Sequence, residues 1–141
     1  MTVKIASTQE ELLLCREPLL QFRTHLDPTA YLDTLQEVIR DGYKLAYVQD
    51  PADNKAAGIV GYRFINMLRT GNSIYIDDLF VLPAYRGRGY AAKLLQHIRE
   101  VAAENAVKQV HLDSGYDRHT AHRLYLNHGF ILNCLHFAYN I

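Results

Sequence analysis

The apolar positions of this chain change their spacing twice, and each change marks a new kind of element. Val3 to Ala6 fits a short strand. Ser7, Thr8, Glu10 and Glu11 then supply overlapping capping boxes ahead of Leu12, Leu13 and Leu14, which predicts a helix start. Pro18 falls inside the helical pattern that runs to Leu26, so this helix should kink or restart near Glu17. Asp27 and Pro28 open a second helical stretch with Tyr31, Leu35, Val38 and Ile39 at helical spacing, and Gly42 is its stop. From Tyr43 the period becomes two. KLAYVQD reads as a strand, PADNK as a turn, and AAGIVGYRFINML as a longer strand in which Gly58 and Gly61 signal a bulge or a close backbone approach. Arg69 to Asn72 makes another turn, and SIYIDDLFVLP follows as a third strand ended by Pro83. Short turns between these strands predict an antiparallel meander.

Helical spacing returns with Ala91, Leu94, Leu95, Ile98, Val101 and Ala102, a face that should extend to about Asn105. VKQVHLDS is the next strand; the helix before it predicts a parallel pair with right-handed crossover. Thr120 is the expected cap of a last helix with inner face Ala121, Leu124, Tyr125 and His128, closed by Gly129, and FILNCLHFAYNI is the expected final strand. The fold class that follows is α/β with a mixed α+β sheet: a meander, then one β-α-β unit, with helices covering the sheet, in a single domain over 1–141.

Charge and composition narrow the function. Lys plus Arg and Asp plus Glu stand at 15 each, with no basic run to track a phosphate backbone, which disfavours nucleic acid. The apolar runs are too short and too broken to cross a bilayer and the N-terminus lacks a signal's apolar core, so no membrane role and a cytoplasmic location are expected. Cys15 and Cys134 are far apart in sequence and read as reduced, packed thiols.

The stretch RGRGYAAK at 86–93 puts two glycines between arginines where a helix begins. A helix start presents unpaired N–H groups and the positive end of its dipole, and glycines at 87 and 89 let an anion approach them without a Cβ in the way. Arg86 and Arg88 add charge-assisted bonds, so the stretch suits a pyrophosphate. Gly87-x-Gly89-x-x-Ala92 also fits a dinucleotide fingerprint with Asp113 near the ribose-acid position, but such folds begin with their glycine loop and here a meander precedes it. An ATP-type P-loop is excluded because Leu94 stands where Ser or Thr is needed.

With Arg86-Gly87-Arg88-Gly89-Tyr90-Ala91 on the pattern Gln/Arg-x-x-Gly-x-Gly/Ala, with IDDLFVLPAYRGRGYAAKLL around it and AHRLYLNHGF downstream, the chain resembles the GNAT superfamily of N-acetyltransferases. The resemblance is strong from about Ile74 to Phe130. It implies acetyl-coenzyme A as cosubstrate, with the pyrophosphate on the amides of Arg86 to Ala91 and the pantetheine arm along Leu79, Phe80 and Val81. It also implies that the strand ending at Asp113 splays from its neighbour to admit the thioester.

The same resemblance makes Tyr125 the general acid for the departing thiolate. Asp77 and Asp78 lie in an otherwise apolar strand; alternation sends them to opposite faces unless a bulge resets the register, and either one is a candidate to take the amine's proton or bind a cationic acceptor. Arg118 stands where the superfamily often has Asn, so it meets either cofactor phosphate or an acidic substrate. His111, His119 and His122 raise a metal or base reading, but no third ligand is placed beside them, and solvated histidines are expected. Tyr31, Tyr62, Tyr75 and Tyr116 are candidates to line an acceptor pocket. The expected activity is transfer of an acetyl group to a primary amine of a small molecule or peptide. A non-catalytic acyl-coenzyme A binding module and a dinucleotide-dependent oxidoreductase are the competing readings. The apolar final strand also makes a homodimer plausible.

Overall fold

A computed structural model describes residues 2–141. Strands β1 (Val3–Ile5), β2 (Lys44–Gln49), β3 (Ala56–Met67), β4 (Gly71–Val81) and β5 (Gln109–Leu112) form one sheet in the order β1-β2-β3-β4-β5. The meander is antiparallel, with Ala46 opposite Val60 and Val60 opposite Leu79. Its register breaks twice. Val48 faces Gly58 while Gln49 faces Ala56, which leaves Ala57 as an extra residue on β3. Gly61 faces Asp78 while Tyr62 faces Ile76, which leaves Asp77 as the extra residue on β4. The second bulge therefore lies opposite Gly61, on the partner strand, and its extra residue is Asp77 itself, beside the paired Asp78.

Leu45, Ala46, Tyr47 and Val48 are all buried in succession, so the sheet is covered on both faces. Helices α1 (Gln9–Leu14), α2 (Arg16–Phe22) and α3 (Tyr31–Arg40) supply Leu12, Cys15, Leu19, Tyr31 and Leu35 to a cluster with Tyr43, Leu45, Tyr47 and Ile59. Helix α4 (Tyr90–Glu104) packs on β3 and β4 and buries Leu94, Leu95, Ile98 and Ala102, four of the six positions its spacing marks.

Local chemistry explains the helix limits. Thr8 and Glu11 form the reciprocal capping box, and the amides of Ser7 and Thr8 hold the Glu11 carboxyl down to about 2. The first helical stretch breaks at Cys15, two residues before the expected point, because a restart at Arg16 puts Pro18 in the first turn of α2, where a missing N–H costs nothing. Asp27 caps a short 3-10 turn, Pro28–Ala30, that leads into α3, and Gly42 stops it at φ +104°.

The chain separates into two compact units, Met1–His111 and Leu112–Ile141. In the second, helix α5 (His119–Asn127) begins one residue before Thr120, with Arg118 at its cap and no side-chain cap bond, so the expected Thr120 cap is corrected. The Gly129 N–H donates to the Leu126 carbonyl and the Phe130 N–H to that of Tyr125, with Gly129 at φ +87°, a Schellman closure as the sequence reading requires. The expected final strand does not form. Residues 130–141 lie in no strand, since alternation makes a ladder only where a neighbouring strand takes up the N–H and C=O groups in register.

Candidate active site

Strand β4 ends at Val81, a single turn Pro83–Tyr85 follows, and the chain then enters α4 through the two glycines. Gly87 and Gly89 take φ +74° and +82°, left-handed values that favour glycine. Gly89 is the N-cap of α4 and has no side chain to cap with, so the first-turn amides of Tyr90, Ala91 and Ala92 have no intrahelical carbonyl to bond. A Cβ at either glycine would meet no atom within 4 Å. Open space, a helix's positive end and bare backbone therefore coincide here. The amide of Arg86 donates to the Pro83 carbonyl and its Nε to that of Val81 at 3.0 Å.

Asp50, which the sequence reading passed over, ties this loop to the sheet. It sits in the β2–β3 turn, 3% exposed, with Oδ1 accepting from the Ala52 amide at 2.9 Å. Its Oδ2 accepts from the Tyr90 hydroxyl at 2.7 Å and from Arg88 Nη1 at 3.0 Å. The Tyr90 hydroxyl and the Ala52 amide are the leading causes that hold its carboxyl below the usual carboxylate range. Arg88 Nη2 reaches the Ala84 carbonyl, so that guanidinium braces the loop from behind. In the sequence Asp50 reads only as the last residue of the strand KLAYVQD before Pro51; what sets it apart is burial, which local pattern does not carry.

Asp77 and Asp78 are drawn into one cluster around Tyr43. Asp78, 8% exposed, accepts from Arg23 Nε at 2.6 Å on Oδ1 and from the Tyr43 hydroxyl at 2.8 Å on Oδ2. Arg63 donates to Asp77 through Nη2 at 2.6 Å and Nε at 3.0 Å, and its guanidinium lies 5.8 Å from the Tyr43 ring centre. Arg23 Nη2 also holds the Asp77 carbonyl at 2.7 Å. Burial, then the Asp78 charge, pushes the Tyr43 hydroxyl well above its ordinary range, so it stays a neutral donor. Each carboxylate oxygen of the pair accepts from at least one of these donors. Arg23, Arg63 and Tyr43 are separated from the aspartates in sequence, and no spacing rule pairs them.

Leu79, Phe80 and Val81 follow this cluster on β4. Phe80 stacks on Phe22 of α2 at 5.1 Å, and Leu79 is buried. In the second unit, half-buried Tyr125 sits on α5 with its ring 5.6 Å from that of Phe130. Burial raises its hydroxyl above the ordinary tyrosine range, and the positive charge of Arg118 works against that rise. His122 Nε2 lies 2.7 Å from the Gly115 carbonyl and His111 Nε2 lies 2.8 Å from Gln109. Among the described residues no three His, Cys, Asp or Glu side chains gather as a metal site, and no helix is long and apolar enough to cross a membrane. Cys15 is a packed thiol pushed up to about 12 by burial; Cys134 is exposed, against expectation, because the strand meant to pack it does not form. Tyr31 and Tyr62 are buried packing groups and Tyr116 is exposed.

A profile of the acetyltransferase (GNAT) family matches residues 9–130. The mouse thialysine N-epsilon-acetyltransferase is 34% identical over 65 residues, which cover 44% of this chain and 38% of that protein, so the match spans well under half of the relative's length. The aminoglycoside N(6')-acetyltransferase type 1 of Acinetobacter baumannii is 23% identical over 104 residues, 71% of each chain. Among solved structures, AAC(6')-Iy in complex with a bisubstrate analogue superposes with a TM-score of 0.82 over 100% of this chain and 99% of that one, at 17% identity. The ribosomal-protein-alanine N-acetyltransferase of Brucella melitensis biovar Abortus 2308 does so with a TM-score of 0.83 over 100% of both chains, at 14% identity.

Proposed function

The chain belongs to the acetyltransferase (GNAT) family, and from that premise we propose that it is an N-acetyltransferase that moves an acetyl group from acetyl-coenzyme A to a primary amine of a small molecule. The observation that carries this reading is the open, left-handed glycine pair at the bare start of α4. Its amides from Gly87 to Ala92 fit a pyrophosphate, and Leu79 to Val81 would take the pantetheine arm. Bound there, the cosubstrate supplies an acyl thioester. Tyr125 keeps its hydroxyl proton at neutral pH and delivers it to the leaving sulfur. Asp77 and Asp78, paired with Arg63 and Arg23, orient the acceptor's ammonium group by hydrogen bonding, and water carries its surplus proton to bulk solvent before the free amine attacks the thioester. The acceptor class follows the relatives, one named for thialysine and one for aminoglycosides. We place the reaction in the cytoplasm, in keeping with a chain that carries only two cysteines, far apart in sequence.

Calorimetry with coenzyme A and with NAD, joined to a thiol-release screen of polyamines, amino sugars, aminophosphonates and peptide N-termini, tests this reading. Coenzyme A alone should bind, and at least one amine should release thiol. Binding of NAD instead, or binding without turnover on any amine, would overturn it. Asp50→Ala is expected to raise the coenzyme A Kd about 10-fold with circular dichroism unchanged, because Arg88 and Tyr90 lose the carboxylate that braces the loop. An unchanged Kd would show that the loop holds its shape without Asp50.

A further inference from the structure

Strand β4 carries more than an aspartate on the face that α2 covers. Asp78 and Phe80 stand two residues apart with regular pairing between them, so they share that face. Phe80 packs against the cluster built by α1 to α3, and the Phe22 ring of α2 stacks on it at 5.1 Å with 24° between the planes. Both rings are half-buried, so the stack keeps an apolar surface toward solvent. A guanidinium lies at each end of it. That of Arg23 is 4.3 Å from the Phe22 ring centre, and that of Arg86 is 5.5 Å from the Phe80 ring centre.

The two arginines differ in what they have left to give. Arg23 is neutralised, with Nε on Asp78 at 2.6 Å and Nη2 on the Asp77 carbonyl at 2.7 Å. Arg86 is exposed and pairs with no carboxylate among the described residues; the hydrogen bond of its side chain runs from Nε to the Val81 carbonyl at 3.0 Å. An exposed arginine is ordinarily just solvated, but here the carbonyl and the ring together fix the guanidinium plane. Both terminal nitrogens stay open, in the fork geometry that takes an oxyanion through two parallel bonds. The same tether turns the side chain back onto β4, which leaves the bare amides of Gly87 to Ala92 to a phosphate.

Charge of opposite sign thus stands at the two ends of one apolar shelf. At about 3.4 Å per residue, Asp78 and Phe80 are about 7 Å apart along the strand, and the Arg86 guanidinium lies one ring contact further on. A chain of about four methylenes spans that interval. We propose that the acceptor is an ω-amino acid: its amine meets Asp77 and Asp78, its methylenes lie over Phe80 and Phe22, and Arg86 holds a terminal carboxylate or phosphonate. The inference rests on the acetyltransferase reading and adds to it the charge at the acceptor's far end. A diamine of equal length would bring a cation to Arg86 and is rejected by like charge.

Probes of matched length test this: δ-aminovalerate, its amide, cadaverine and aminobutylphosphonate. Calorimetry on the protein loaded with coenzyme A should give δ-aminovalerate or the phosphonate a Kd about 10-fold or more below those of the amide and cadaverine, and kcat/KM for acetyl transfer should follow the same order. Whichever oxyanion binds more tightly names the terminal group. Arg86→Gln should bring the ratio of acid to amide close to one, and Arg86→Lys, which keeps the charge without the fork, should restore part of it. The ratio is taken within one protein, so any change in the grip on the cosubstrate cancels. Asp77→Asn should weaken acid and amide alike and leave their ratio standing. Oxyanion probes that bind no better than the amide, a preference that survives Arg86→Gln, or cadaverine as the tightest ligand would each overturn the proposal. A chain that binds the acid selectively yet transfers no acetyl group would count against the acetyltransferase reading and in favour of this site.

Discussion

Tyr125→Phe is expected to lower turnover about 100-fold while the coenzyme A Kd stays within about twofold. The substitution keeps the ring that packs against Phe130 and keeps the helix intact, and it removes only the proton the proposed mechanism uses. The pH profile separates this role from packing. The Tyr125 hydroxyl is raised by burial, so the proton it donates is present throughout neutral pH and is lost as pH climbs through a value above its ordinary one. The wild-type rate should therefore fall on an alkaline limb that the Phe variant lacks. Arg118→Ala should move that limb further up, because the Arg118 charge opposes the rise. A Phe variant with unchanged turnover removes Tyr125 from the chemistry and leaves it as a packing residue of α5.

Which parts of this molecule were legible in its sequence follows from how local their causes are. The Thr8–Glu11 box, the Gly42 and Gly129 stops and the glycine loop each depend on a few consecutive residues, and each is found where pattern puts it. The tail fails for the opposite reason. Its alternation encodes a strand, but whether a strand forms depends on a neighbouring edge that sequence periodicity does not supply. The aspartates show an intermediate case. Their place in β4 was readable, whereas the bulge at Asp77 and the arrival of Arg23, Arg63 and Tyr43 depend on how distant elements pack. Asp50 was missed because an aspartate at a strand end before a proline looks like ordinary punctuation until its burial is known.

Gly61→Ala is expected to destabilise the fold by about 3–5 kcal/mol, from overpacking a full core and breaking a buried hydrogen bond together. The added methyl would lie 1.8 Å from the Tyr43 hydroxyl oxygen and 2.2 Å from the ring carbon that bears it. Tyr43 cannot simply recede, since it belongs to the closed cluster with Leu45, Tyr47 and Ile59. The ring must leave, and it takes with it the hydroxyl that Asp78 accepts from, so a buried carboxylate keeps Arg23 alone. At about 2–4 °C per kcal/mol for a chain of this size, the melting temperature should drop by roughly 10 °C. The contrast with Gly87 is instructive: there a substitution meets open space and a strained φ, whereas at Gly61 the obstacle is contact alone. Tyr43→Ala measured with and without Gly61→Ala isolates the cause. If contact is what matters, the methyl should cost almost nothing once the ring is gone, and the pair should be far from additive. Additive losses would mean that Gly61 is required for some property of β3 other than room for Tyr43.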